Sequence, residues 1–352
     1  MDLKALLHDP RRRTLAVLAL LAIFSLVWAG MALERRAGEV APKYPAHAFL
    51  PGFAGELDHA SRIHIVSKKY GAFDAVFVPV KGWVLPGRDN FPVSDEEMHK
   101  TLVGLAALQT IAPKTAEPGW YHYLDLGAPP AGDGVLIEVR DDKGRVLASL
   151  IAGKTQDIGD PSGAIGLYVR KTGEAQSWLV NSPFVPHAGQ ADWMDKKIVE
   201  LDSARIAGVD VRPAKGPAYT LSRDKPSDAD FTLIGPVREL ADPGAPDSVA
   251  TALAGFSFED AAPAAGFDFT SGASRLITRT FDGLIVTVDV IARGQENWAR
   301  VYAGSVPGKP DAEKEASVIN AHAAGWAFKL PSYKAAQFTT PLDSLLRPRS
   351  GK

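Results

Sequence analysis

Ser94–Pro113 reads SDEEMHKTLVGLAALQTIAP, and Val249–Pro263 reads VATALAGFSFEDAAP. The pairing of these two stretches decides the fold. In the first, Ser94 stands three residues before Glu97, the spacing of a helix N-cap and its reciprocal partner. Met98, Leu102 and Leu105 then follow at 4-then-3 spacing, which lines one face of a helix. Val249, Leu253 and Phe256 repeat that spacing, and each segment runs into a proline, Pro113 or Pro263.

Working outward, the echo continues in the same order. Ser61-Arg62-Ile63 is matched by Ala204-Arg205-Ile206, and Trp83-Val84-Leu85 by Phe231-Thr232-Leu233. Asp133-Gly134 precedes VLIEV as Asp282-Gly283 precedes LIVTV. Trp178 matches Trp326, and Asp195 matches Asp343. The offsets stay between 143 and 151, and such colinearity points to a tandem duplication. Within the first unit, Asp141–Gly144 and Lys171–Glu174 read as turns between alternating strands. A further helix is expected over residues 311–324 of the second unit alone. The expected class is α+β: antiparallel-rich sheet with packed helices, repeated as units 61–200 and 201–347.

Upstream, Thr14–Leu33 reads TLAVLALLAIFSLVWAGMAL, twenty residues without a charge. That length suits a hydrocarbon core of roughly 30 Å, so 14–33 is expected to be a transmembrane helix. Lys4, Arg11, Arg12 and Arg13 precede it, which places residues 1–13 in the cytoplasm and the rest beyond the membrane. A cleaved signal peptide would have a shorter apolar region. Residues 34–60 lack periodicity and carry three prolines, and are expected to be a linker.

Composition narrows the chemistry. With 46% hydrophobic and 23% charged residues the chain can bury a sizeable core. A net charge of −2 gives no support to a nucleic-acid partner. The absence of cysteine excludes disulfides, thiolate metal sites and thiol nucleophiles. Gly153-Lys154-Thr155 resembles the end of a phosphate loop, but Ala148 stands where that loop needs its first glycine. The eight histidines show no zinc-site spacing. His122, between aromatics in Trp120–Tyr123, is expected to be structural, packed on one edge and hydrogen-bonded on the other. Asp157–Gly163 reads as a solvent-exposed turn, and Trp178 and Trp326 as packing residues. No catalytic, cofactor-binding or metal-ligating residue is expected, and no cofactor.

Several stretches together resemble a bacterial family catalogued as domain of unknown function 4340. They are Gly153-Lys154 followed by Gly166–Arg170, then Trp193–Lys197, and Gly325–Tyr333 leading to Leu342–Leu346. The resemblance implies a periplasm-facing protein of the inner membrane, associated with an ABC-type transport system of the gliding-motility kind. Its expected partners are the transporter's membrane subunits. It carries no catalytic residue over to this chain. The expectation is therefore a non-catalytic accessory or scaffold subunit. The competing expectation is a periplasmic small-molecule or glycan binding module using a cleft between the two repeats.

Overall fold

The computed structural model describes residues 14, 18, 21–32, 44–235 and 238–348. They form a mixed α+β protein built on two antiparallel sheets. The first contains β1 (Arg62–Ser67), β2 (Gly71–Val78), β3 (Gly82–Leu85), β4 (Phe91–Pro92), β5 (Gln109–Pro113), β6 (Val135–Arg140), β7 (Val146–Gln156), β8 (Ile165–Lys171) and β9 (Ser177–Ser182). Their order is β4-β3-β2-β1-β6-β7-β8-β9-β5. The second contains β10 (Ile206–Arg212), β11 (Tyr219–Ser222), β12 (Thr232–Ile234), β13 (Asp260–Pro263), β14 (Ser274–Thr280), β15 (Leu284–Arg293), β16 (Glu296–Ser305) and β17 (Trp326–Leu330). Its order, β12-β11-β10-β14-β15-β16-β17-β13, retraces that of the first sheet without β4.

The alternation of each strand sets its faces. In β1, Ile63 and Ile65 are buried while Arg62 is exposed, and β14 buries Leu276 and Thr278 in the same way. Helix α1 (Asp95–Ala106) joins β4 to β5 and carries the expected stripe: Met98 and Leu105 are buried and Leu102 is packed beside them. Ser94 accepts a hydrogen bond from the Glu97 amide, as an N-cap should. The reciprocal half is absent. The Ser94 amide donates instead to Trp193 O, and the Glu97 carboxylate faces His187.

Beside the second sheet, α2 (Ala245–Ala250) is half as long and continues as turns through Gly255, with Leu253 and Phe256 still buried. Helix α3 (Pro310–Ala323) matches the helix expected there. The side-chain amide of Asn320 pairs with both Ala303 N and Ala303 O, closing part of the β16 edge. Helix α4 (Ser332–Thr339) follows; its buried Lys334 ammonium donates to Ala252 O and Ala254 O beyond α2.

Three expectations change. The Asp133-Gly134 and Asp282-Gly283 match is out by one strand. The first pair opens β6, whereas the second turns β14 into β15, whose topological counterpart is the Asp141–Gly144 turn. Residues 34–60 are not linker throughout, because Phe49, Leu50 and Phe53 are buried against the core and Phe53–His59 forms a 3₁₀ helix. Glu56 in that helix pairs with Arg145 at the β6–β7 turn, while Glu315 of α3 pairs with Arg205 at the start of β10.

The third concerns the expected transmembrane helix at 14–33. Residues 15–17, 19, 20 and 33 lie outside the described residues, as do 1–13. Residues 21–32 are helical, about 18 Å at 1.5 Å per residue, and every one is exposed. Among the described residues no helix is long and apolar enough to cross a membrane.

Candidate functional site

The natural place for a site is the seam where the two sheets meet. Its centre is Phe91 on the short edge strand β4. The Phe91 ring lies 4.8 Å from Trp326, 5.9 Å from Phe258 and 6.5 Å from Phe328, all edge-on. Phe256 extends the cluster from Phe328 to Phe338 of α4. Edge-to-face rings gain from the quadrupole as well as from burial, so this group is a dry adhesive between the sheets. One continuous cluster of buried apolar side chains runs from Phe49 to Leu346 through it.

Polar contacts fasten the rim of the seam. Arg88 reaches Asp260 at 3.1 Å, and His322 Nδ1 lies 3.2 Å from Lys197 O. A shallow, open depression of about 470 Å³ runs along the surface, edged by Lys196, Lys197, Glu200, Asp202 and Phe256. The rings, rather than a cleft with convergent polar groups, occupy the interior.

Beside the seam, Glu97 is 8% exposed and its Oε1 lies 2.9 Å from His187 Nδ1. The approach angle is not that of a hydrogen bond, and both atoms lack another partner. A carboxylate–imidazole pair is the orienting half of a general base. Among the described residues no hydroxyl hydrogen-bonds to His187, whose carbonyl receives the Trp193 indole N–H. The pair ties the loop before Trp193 to the first turn of α1.

A second buried charge lies in the other sheet. Asp289 is fully buried on β15 and accepts from Arg275 of β14 and Arg300 of β16, its direct cross-strand neighbours. Hydrogen bonding to this carboxylate holds the Arg275 guanidinium above its ordinary range. Arg300 also stacks on Phe269 at 5.0 Å. In the first sheet Arg170 stacks on Tyr121 in a similar way, at 4.5 Å, but its cross-strand neighbour is Ile151 rather than an aspartate. Sequence reading missed this triad, since the three residues meet only once strand registers are known.

The residues singled out in the sequence do not converge. Gly153-Lys154-Thr155 lies within β7, with Lys154 exposed. A Cβ at Gly153 would sit 2.1 Å from Leu124 O, so close backbone approach explains the glycine. Asp157 and Asp160 accept from Gly159 N and Ser162 N, closing ordinary turns. Trp178 and Trp326 pair across strands with Pro113 and Pro263 and pack against the core. His122 departs from expectation: it is exposed, with its ring tilted against Tyr123 at 3.9 Å. Among the described residues no group of three or more His, Asp or Glu is placed to hold a metal ion.

The architecture and seam thus define a two-sheet α+β protein whose internal junction is packed. A family model described as domain of unknown function (DUF4340) matches residues 83–271, more than half of the chain. The chain belongs to this family. No curated protein and no solved structure matches it.

Proposed function

We propose that this chain is a non-catalytic scaffold, anchored by residues 14–33 in the bacterial inner membrane with its two sheets in the periplasm. There it serves as an accessory subunit of an ABC-type transport system of the gliding-motility kind. We read the sheets as the units of a tandem duplication, 61–200 and 201–347, on the strength of their common strand order. The observation that carries the reading is the packed seam. A binding module between repeats needs an open cleft there, whereas Phe91, Phe258, Trp326 and Phe328 fill it. Filling fixes the two sheets relative to each other, which is what a tether or assembly platform requires.

Support for the anchor comes from the apolar helical residues that are left exposed. Leu21, Phe24, Leu26 and Trp28 are 59–73% exposed. Such a surface is stable in lipid or against a partner and costly in water. Purification of the full-length chain from detergent-solubilised membranes, with mass spectrometry of what accompanies it, tests the reading. Transporter membrane subunits should co-purify in near-stoichiometric amounts. Recovery of the chain alone would sink the proposal.

A further inference from the structure

We infer that the 3₁₀ segment Pro118–Leu124 is a membrane-contacting knuckle that rests its aromatic side chains on the bilayer surface beside the anchor. The inference rests on the anchored reading above and adds a second contact to it.

One side of this segment belongs to the fold. Tyr121 is buried, donates its hydroxyl to Ala175 O at 2.6 Å, and packs with Leu126 and Ile151 on the outer face of the first sheet. The other side has no such role. Trp120 and Tyr123 are 62% and 59% exposed, with rings 5.7 Å apart, and the His122 ring leans against Tyr123. The second sheet shows that covering an outer face does not require exposed aromatics. Its corresponding segment, residues 264–273, turns Phe267 and Phe269 inward, into a cluster with Trp298.

The path of the chain selects the occupant. Ala48 bridges Gln109 in antiparallel sense, and Thr110 N donates to His47 O. Going backwards from Ala48, the chain therefore runs along β5 toward Pro113, and the His47 ring lies 6.0 Å from Trp178, the partner of Pro113. From Pro113 the chain passes Lys114 and Thr115, which bond to Ser177, and enters the knuckle. The knuckle and residues 44–47, which follow the connection from residues 14–33, thus lie at the same part of the sheet. Only residues 34–43 separate the apolar segment from Tyr44, at most roughly 35 Å of extended chain. Trp and Tyr are the side chains favoured at the level of lipid headgroups, since each joins an apolar ring to a polar group. Along the chain Lys114 is followed by Glu117, and Asp125 caps the segment, so the contact relies on the rings rather than on anionic lipid.

The absence of cysteine makes the test direct. Full-length chains carrying Gly119→Cys, Ala116→Cys or Phe24→Cys are each labelled with a polarity-sensitive fluorophore and placed in phosphatidylcholine nanodiscs, with and without brominated lipid. Brominated lipid should quench the labels at 116 and 119 about two-fold, as expected for a probe at the interface. Trp120→Ser with Tyr123→Ser should abolish that quenching. Persistence of quenching in the double variant would overturn the inference. Labels at 116 and 119 that stay aqueous while the label at 24 is quenched would also overturn it, leaving the anchor intact. An aqueous label at 24 would remove the anchor and the knuckle together. Labels shielded from water yet untouched by brominated lipid would assign the knuckle to a protein partner or second copy, contrary to the inference.

Discussion

Gly153 shows how one residue serves packing where its neighbours suggest chemistry. The Gly-Lys-Thr triplet looks like phosphate binding, yet the glycine admits Leu124 O against the β7 backbone. Gly153→Ala should destabilise the chain by about 2 kcal/mol, because the carbonyl it meets belongs to the main chain and cannot swing away. A urea titration read by tryptophan fluorescence will show it; an unchanged midpoint would contradict the close approach. Asp268 makes a second, pH-dependent case. Hydrogen bonds from Thr270, then Ser271, hold its carboxyl at about 2, below the ordinary 3.8. The pKa is depressed in the folded state, so the stabilisation is complete above about 3.8 and lost as the pH falls through about 2. An NMR titration should place the Asp268 midpoint near 2 and move it toward the ordinary range in Thr270→Val/Ser271→Ala. Equal midpoints in both proteins would refute this arrangement.

At the scale of elements, legibility followed locality. Ser94, Met98, Leu102 and Leu105 were readable because a helix cap and stripe depend on neighbours three or four positions away. Ser94→Ala should therefore cost about 1 kcal/mol, measured as a lowered denaturation midpoint with an unchanged slope. What Glu97 does was not readable, since His187 lies far along the chain and the Ser94 amide is claimed by Trp193 O. The match of Asp133-Gly134 to Asp282-Gly283 failed for a related reason. Alternating apolar residues mark a strand without saying which strand of a meander it is, so a slip by one hairpin leaves the pattern intact. Residues 48–59 escaped notice because Phe49, Leu50 and Phe53 follow neither the period of a helix nor that of a strand. The exposed side of Trp120 and Tyr123 was equally hidden, as composition cannot tell an aromatic that packs from one that does not.

Across the whole molecule, a scaffold role requires two sheets of common strand order to behave as one body. Most neighbours in each sheet are consecutive strands joined by short turns, which the alternating pattern makes readable. The pairings of β1 with β6, β5 with β9, β10 with β14 and β13 with β17 instead join strands distant in sequence. Those long-range closures are why neither sheet could be drawn from the chain alone. Phe91 is where the two bodies meet, on a strand of two residues that no sequence period marks. Truncating it should remove about 3–5 kcal/mol, as for other buried phenylalanines, and should weaken both sheets together. Scanning calorimetry of the wild-type chain and Phe91→Ala tests this most directly. One cooperative transition is expected in the wild type, shifted as a whole to lower temperature by the substitution. Two separate wild-type transitions, with one left unmoved in Phe91→Ala, would show that the sheets are independent and that the seam does not make them a single scaffold.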